Sequence, residues 1–260
     1  MYSLLLLAVL SNPWPAQTTR APGVADPIGS YSAGCLQGSV AMPAHSPDYQ
    51  LLRPQNRRHY GHPNLIRYLQ HLVSAARKAG LPPLLIGDMA MIKGGPFSSG
   101  HRSHQSGLDA DLWFRFAQPR LSNKQLQQPQ ALDMVAANNR VVSKAFSRQQ
   151  ALLLQLAASA PEVDRIFVHP AIKQALCEQS RGDRQWLRKI RPWFGHRAHF
   201  HVRLRCPAGA LACTPQKPIP WGDGCQEVAS WFDGPTEVTS HPKPSPLPAL
   251  PARCMQMLGH

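Results

Sequence analysis

Apolar residues recur every three or four positions in two stretches of the chain, which is the spacing of one buried face of an α-helix. The first stretch begins at Pro63, a residue typical of the first helical position, and stops at Gly80, which suits a helix end. The second stretch covers about residues 149–159 and is stopped by Pro161. A shorter helix is predicted at residues 171–177, and residues 186–190 form an amphipathic segment with exposed basic side chains around it.

Strict alternation of apolar and polar residues predicts two strands that carry polar groups on one face. On a strand, residues two apart share a face. His199 and His201 therefore point one way, and the apolar residues next to them point the other way. In the same manner, Asp109 and Asp111 share one face of a strand whose other face is apolar. Short apolar strands are also predicted, at residues 84–86 and 166–168.

Length, composition and charge favour a globular protein that binds an anionic partner. The 260 residues, with 43% hydrophobic content, are enough to bury a substantial core. The chain has 28 Lys and Arg against 14 Asp and Glu, which gives a net charge of +14 and favours an anionic partner. The basic residues are scattered, apart from those at 184–205, so no nucleic-acid partner is indicated.

The beginning of the chain is typical of a secretory leader. Residues 4–10 form an apolar run that is too short to span a bilayer, and Ala16 offers a small residue for cleavage. The run lacks the basic residues that usually precede such a segment. We therefore expect a signal peptide at residues 1–16, with cleavage after Ala16, and no membrane span.

Six cysteines fit an exported protein, because disulfides persist in oxidising compartments. Six cysteines allow fifteen pairings, and none lies in the C-x2-C spacing of structural zinc. Buried free thiols, common in cytosolic enzymes, are the alternative. Closely spaced prolines predict an extended tail over residues 234–260, which Cys254 fastens to a body at residues 27–233.

The two polar strand faces are candidates for a metal site. A carboxylate buried on such a strand is costly unless it is paired or bound to a metal. Imidazole and carboxylate together suit zinc, and three protein ligands plus an open position is the catalytic arrangement. A single His-x-His is more often two partly exposed strand histidines. The presence of His101, His104 and His196 close to the two strands favours the metal site.

These residues resemble a zinc peptidase group that includes lysostaphin-type endopeptidases, D-alanyl-D-alanine dipeptidases and the hedgehog signalling domain. The resemblance is carried by Ser103-His-Gln-Ser-Gly-Leu-Asp-Ala-Asp111 together with His199-Phe-His201. Within that group, the chain is similar to the penicillin-insensitive murein endopeptidases. Further matching segments extend the likeness over roughly residues 28–254, namely 28–35, 85–89, 165–168, 186–194 and 222–225.

The resemblance implies an α+β fold, in which a small antiparallel sheet carries a zinc site and is flanked by helices, with disulfide-linked loops and a Pro-rich C-terminal tail. It implies that His104, Asp111 and His201 bind zinc, and that His101 can take part in a further metal site. Some members complete that further site with an Asp and a His, which residues 133–141 of this chain lack.

The same resemblance assigns catalysis to two other histidines. His199, beside His201 on one strand face, is placed to stabilise the oxyanion or to pass a proton to the leaving amine. His196 is the other candidate for that work. Asp109 would either orient a ligand histidine or act as an ordinary hydrogen-bond acceptor.

The resemblance also implies a substrate, peptidoglycan. Members hydrolyse D-alanyl–meso-diaminopimelyl cross-bridges in murein without a serine nucleophile, and this chain contains no G-x-S-x-G motif. Stem-peptide carboxylates fit the basic charge balance, with Arg102, Arg197 and Arg203 as candidates for holding them. The implied location is the periplasm. The implied disulfides are Cys35–Cys254, Cys177–Cys225 and Cys206–Cys213.

Two interpretations from other classes stay open at this point. A non-catalytic, metal-stabilised cell-wall binding module would keep the ligands but lose the acid–base group, and the presence of His196 and His199 argues against it. A basic structural protein associated with export explains the charge and the cysteines but not the ligand set. Metal analysis separates the structural protein from the other two. Digestion of murein separates the binding module from the enzyme.

Overall fold

The computed structural model describes residues 12–234 and 248–259, which form an α+β fold, as predicted. The α-helices are α1 (Pro63–Lys78), α2 (Asn123–Gln127), α3 (Arg148–Ser159), α4 (Pro170–Gln179) and α5 (Ala252–Gln256). The strands are β1 (Asp26–Ser30), β2 (Ala33–Gln37), β3 (Val40–Ala41), β4 (Tyr49–Leu51), β5 (Tyr60–Gly61), β6 (Leu84–Ile86), β7 (Asp109–Trp113), β8 (Val163–Val168), β9 (Ile190–Pro192) and β10 (His199–Leu204). Short 3-10 helices cover Trp14–Ala16, Pro54–Asn56, Gln185–Lys189 and Ala229–Phe232.

Six of the described strands form one sheet, in the order β4-β6-β7-β10-β8-β9. The four central strands are antiparallel, as predicted, whereas the outer pairs β4/β6 and β8/β9 are parallel, so the whole sheet is mixed. A parallel pair needs a crossover connection, which contains α1 in the first case and α4 in the second. Strands β7 and β10, which carry the predicted ligands Asp111 and His201, therefore lie side by side in the middle of the sheet.

The helices begin where local hydrogen bonding favours them. In α1, Pro63 occupies the first helical position and the His62 side chain accepts a hydrogen bond from the backbone N–H of Asn64. A capping box formed by Ser147 and Gln150 starts α3. Helices α1 and α3 contact each other, and their apolar faces join the sheet in one large core. The amphipathic segment at 186–190 lies mostly in the 3-10 helix Gln185–Lys189.

All three disulfides implied by the resemblance are present, and no free cysteine occurs among the described residues. Cys254 lies in α5, so the tail docks on the body through a short helix. Leu250, Met257 and Leu258 pack there against a small apolar cluster that contains Cys35. Residues 235–247, with most of the predicted proline-rich segment, lie outside the described residues.

The end of the predicted leader is part of the folded body. Residues 1–11 lie outside the described residues, but the Trp14 side chain is only 2% exposed and packs with Phe97 and the Cys35–Cys254 disulfide. The Asn12 side chain donates a hydrogen bond to the carbonyl of Pro96 at 2.8 Å. Cleavage after Ala16, as expected from the sequence, would remove both residues and these contacts. No helix in the described ranges is long and apolar enough to cross a membrane.

We predict that the long-range disulfide stabilises the fold more than the short-range one. Cys35 and Cys254 lie 219 residues apart, whereas Cys206 and Cys213 lie 7 apart. The loop-entropy relation gives about 5 kcal/mol for the first and about 2 kcal/mol for the second. Paired Cys→Ser replacements, compared by denaturant unfolding, should reproduce that order. A larger loss from the short loop would contradict it, and alkylation of undenatured protein should find no reactive thiol.

The burial of Trp14 leads us to predict that removal of a leader leaves Trp14 in the chain. Intact-mass analysis of secreted protein should show a chain that begins before Trp14. Trp14→Ala should lower the free energy of unfolding by about 3–5 kcal/mol, the usual cost of emptying an aromatic core position. A mature chain beginning at Gln17 with unimpaired stability would show that Trp14 is dispensable.

Candidate metal centre

Four of the predicted site residues converge on one point. Single donor atoms of His101, His104, Asp111 and His201 all lie within 4.8 Å of one another. The Asp111 carboxylate is central: Oδ2 lies 3.1 Å from His101 Nε2, and Oδ1 lies 3.1 Å from His201 Nδ1 and 3.4 Å from His104 Nε2. The His101 side chain is 28% exposed and the other three are buried. One partly open side of the cluster therefore faces solvent.

Cross-strand register explains two of the four positions. In the β7/β10 pair, His201 lies directly opposite Asp111, and Arg203 lies directly opposite Asp109. Opposed residues on one sheet face have neighbouring side chains. The alternation predicted from the sequence thus brings two carboxylates against an imidazole and a guanidinium in the middle of the sheet.

The loop before β7 supplies the other histidines. His104 has a φ of 69°, a left-handed conformation that is uncommon for a residue with a side chain and typical of functional sites. Gly107 has a φ of 73°, and a Cβ atom there would lie 2.3 Å from Leu36. The turn between His104 and β7 therefore requires glycine at this position.

His104 shows that a cation fits this cluster. Its ring is fully buried, and neither ring nitrogen has a hydrogen-bond partner among the described residues. Leaving a buried polar group unsatisfied costs about 1–3 kcal/mol. Its Nε2 atom faces the Asp111 carboxylate without hydrogen-bond alignment, and the His201 ring centroid lies 4.6 Å away. A bound metal ion would satisfy His104, and the set of imidazole nitrogens and carboxylate oxygens suits zinc.

A buried ion pair supports the cluster from behind. Arg203 donates two hydrogen bonds to Asp109, from Nε to Oδ1 at 2.8 Å and from Nη2 to Oδ2 at 3.0 Å. Oδ2 of Asp109 also accepts the backbone N–H of His104 at 3.0 Å, and Oδ1 lies 3.3 Å from His201 Nε2. Asp109 therefore contacts two of the predicted ligand residues. This favours the hypothesis that Asp109 orients ligand histidines over the alternative that it is an ordinary hydrogen-bond acceptor. Arg203 is bound by this carboxylate, so the interpretation that it holds substrate carboxylates is wrong.

Charges in the cluster shift several pKa values. Burial raises the pKa of Asp109, but Arg203 and His201 outweigh burial and hold it below its usual range. Burial lowers the pKa of His201, but Asp109 and Asp111 together raise it to about 9. For His101, Asp111 raises the pKa, while burial and the neighbouring histidines lower it to about 4. The cluster thus combines fixed negative charge with crowded imidazoles, which is the electrostatic setting of a cation site.

The two predicted catalytic histidines lie next to this cluster but outside it. The His199 ring centroid is 5.6 Å from that of His101, and its Nε2 atom is buried, lies 3.9 Å from Asp111 Oδ1 and lacks a hydrogen-bond partner among the described residues. The His196 ring is 5.2 Å from that of His199, and its Nδ1 lies 3.3 Å and 3.2 Å from the carbonyls of Trp193 and Phe194. Burial lowers the pKa of both rings.

Sequence reasoning missed the residues that hold His104 from its other side. The Phe97 ring stacks on the His104 ring with centroids 5.7 Å apart, and the Arg58 guanidinium lies 3.9 Å from the Phe97 centroid. Arg58 also pairs with Asp88 at 2.9 Å. Phe97 lies in a glycine-rich loop without periodicity, so no sequence pattern pointed to it.

Residues 133–141, which lack the Asp and His that the resemblance associates with a further metal site, are held by side-chain contacts. The Arg197 guanidinium binds Asp133, Asn139 and the carbonyl of Val135. The guanidinium of Arg197 therefore holds residues 133–139 in place. No second group of three potential metal ligands occurs in residues 12–234 and 248–259.

Comparison with known proteins agrees with this geometry. The model of the penicillin-insensitive murein endopeptidase family matches residues 27–259. A Klebsiella pneumoniae protein of that name is 47% identical over 264 aligned positions, covering 98% of this chain and 96% of the relative. A Salmonella newport protein of the same name is 47% identical over 253 positions, covering 96% and 92%. The chain therefore belongs to the penicillin-insensitive murein endopeptidase family.

Proposed function

We propose that this protein is a zinc-dependent endopeptidase that hydrolyses the D-alanyl–meso-diaminopimelyl cross-bridges of murein in the periplasm. The observation that carries the proposal is the buried, unsatisfied His104 ring beside Asp111 and His201, in a chain that matches murein endopeptidases over nearly its full length. Three disulfides and a net charge of +14 support an exported protein that acts on an anionic polymer.

The proposed ligands are His104, Asp111 and His201, with His101 at the solvent side of the same cluster. When bound, zinc would acidify a water molecule and polarise the scissile carbonyl, which makes a serine nucleophile unnecessary. Penicillin acylates nucleophilic serines. A zinc site that works without such a serine is therefore not inactivated by penicillin. Asp109 holds the backbone of His104 and lies against His201, and Arg203 keeps Asp109 charged.

His199 and His196 are proposed to handle the proton. The Nε2 atom of His199 is buried beside the cluster without a partner, so it can contact the oxyanion or give a proton to the leaving amine. His196 lies behind His199, and its Nδ1 faces two backbone carbonyls, which orient the ring. We therefore place His199 nearer to the reacting atoms, and His196 as its neighbour in proton transfer.

The experiment that tests the proposal is digestion of purified murein by purified protein, with and without a chelator. Separation of the products should show cross-linked dimers converted to monomers at the D-alanyl–diaminopimelyl bond, in the zinc-loaded sample only. Digestion in the presence of penicillin should be unchanged. Binding of murein without cleavage, at full metal occupancy, would instead identify a binding module.

The geometry predicts that metal content and activity depend on the same three ligands. His104→Ala, Asp111→Asn and His201→Ala should each lose most bound zinc and about a hundredfold or more in turnover, because each removes a buried donor from the centre of the cluster. Thermal unfolding in chelator should show that the variants remain folded. His101→Ala is the matched control: its side chain is partly exposed, and it should keep zinc. Stoichiometric zinc in any of the three buried variants would remove that residue from the ligand set.

A second prediction separates catalysis from metal binding. His199→Ala should keep zinc yet lose about 2–4 kcal/mol of transition-state stabilisation, roughly a hundredfold or more in kcat, because it contacts the reacting atoms and not the ion. His196→Ala should show a smaller loss in kcat, also with zinc retained. The measurements are metal content and steady-state kinetics on a soluble cross-linked muropeptide. Loss of zinc from His199→Ala would make it a ligand, and near-normal kcat in both variants would defeat the assignment.

A further inference from the structure

A large cavity lies away from the candidate metal centre. It has a volume of about 1080 Å³ and opens to solvent. The 3-10 helix Gln185–Lys189 borders it, together with residues 205–206 after β10 and the loop at residues 215–223. Ligand sites usually measure about 300–1,000 Å³, so this cavity is large enough for an extended ligand. None of the metal-cluster residues or catalytic histidines lines it.

The lining of this cavity carries excess positive charge. Two of its carboxylates are already paired, Asp223 with Arg184 at 2.7 Å and Asp164 with Arg165 at 2.7 Å. Asp183 is the remaining acid. Against it stand three basic residues with no ion-pair partner among the described residues, namely Arg188, Lys189 and Arg205. The cavity therefore favours an anionic ligand.

An exposed tryptophan forms one wall. Trp221 is 91% exposed, although its ring is large and apolar. The Arg188 guanidinium lies 4.6 Å from its centroid, and Arg188 is itself fixed by the carbonyls of Pro220 and Ile219. One face of the indole is thus held in place while most of the ring remains open to solvent. Such rings are typical of binding surfaces, because they offer a large contact area with little loss of conformational entropy.

Two residues that line the cavity also contact Arg203, which holds Asp109 behind the candidate metal centre. Gln216 accepts a hydrogen bond from Arg203 Nη1 at 2.8 Å, and Tyr31 lies under the same guanidinium, 4.1 Å from its ring centroid. Arg203 is the residue that binds Asp109 behind the ligands. A ligand in the cavity therefore lies one side chain away from the residues that orient the metal site.

We propose that this cavity is a second murein-binding site, which takes an anionic, peptide-bearing segment of the glycan away from the bond to be cleaved. Stem-peptide carboxylates would bind Arg188 and Arg205, and a sugar ring would lie on the open face of Trp221. The inference rests on the proposed substrate. It predicts that the enzyme holds intact murein more tightly than a short cross-linked fragment, because only the polymer reaches both sites.

Co-sedimentation with insoluble murein tests this inference in chelator, where no cleavage competes with binding. Arg205→Glu and Trp221→Ala should each weaken the apparent affinity by about tenfold or more, as for a central aromatic or charged contact. Arg20→Glu is the control for Arg205→Glu, because Arg20 is exposed and lies outside the cavity. Leu211→Ala is the control for Trp221→Ala, because Leu211 is 99% exposed and also lies outside the cavity. Equal binding by all four variants would overturn the proposal. Equal weakening by Arg20→Glu and Arg205→Glu would reduce the effect to net charge and also overturn it.

A kinetic comparison with zinc present separates this site from the catalytic one. The ratio of cleavage rates for intact murein and a soluble cross-linked dimer should fall about tenfold in Arg205→Glu and Trp221→Ala and stay near the wild-type value in both controls. An unchanged ratio would contradict the proposal. If the wild type cleaved neither substrate, the proposed activity would fail, while the co-sedimentation result would still decide whether the cavity binds murein.

Discussion

The ion pair between Asp109 and Arg203 is the interaction on which the rest of the site depends. It lies between the two central strands, with Asp109 fully buried and Arg203 only 5% exposed. A buried carboxylate is tolerated when its oxygens are hydrogen-bonded, and here both oxygens bind the guanidinium while one also fixes the backbone of His104. Removing either partner would leave a buried charge beside the His/Asp cluster. The pair therefore holds two of the proposed ligands, His104 from the loop and His201 from β10, close to Asp111.

A second support reaches His104 from the opposite side and involves the beginning and end of the folded chain. Phe97 stacks on His104, and the loop before Phe97 packs on Trp14, where a Cβ atom at Gly95 would lie 2.1 Å from the indole. Trp14 shares this cluster with the Cys35–Cys254 disulfide. The disulfide thus stabilises both the attachment of the tail and the cluster of side chains on which His104 packs. Packing from both sides holds the His104 ring in place before any ion binds.

Local periodicity predicted the parts of the structure that depend on local geometry. The two-residue period of a strand was sufficient to place His199, His201, Asp109 and Asp111 on functional faces, and α1 follows its apolar pattern and proline start. Features set by distant contacts were not predictable in this way. The partner of Arg203 depends on strand register, and the parallel edges of the sheet depend on crossover connections. The three disulfides were obtained from the family resemblance, since counting cysteines leaves every pairing open.

The most direct test of the account is a crystal structure of zinc-loaded protein with anomalous scattering measured at the zinc absorption edge. We expect one strong peak about 2.0–2.2 Å from a nitrogen of His104, a nitrogen of His201 and an oxygen of Asp111. In the same map, Arg203 should still bind Asp109, and His199 should lie beside the ion without bonding to it. A peak bonded to His199 or Asp109, or no peak at His104, would contradict the central claim.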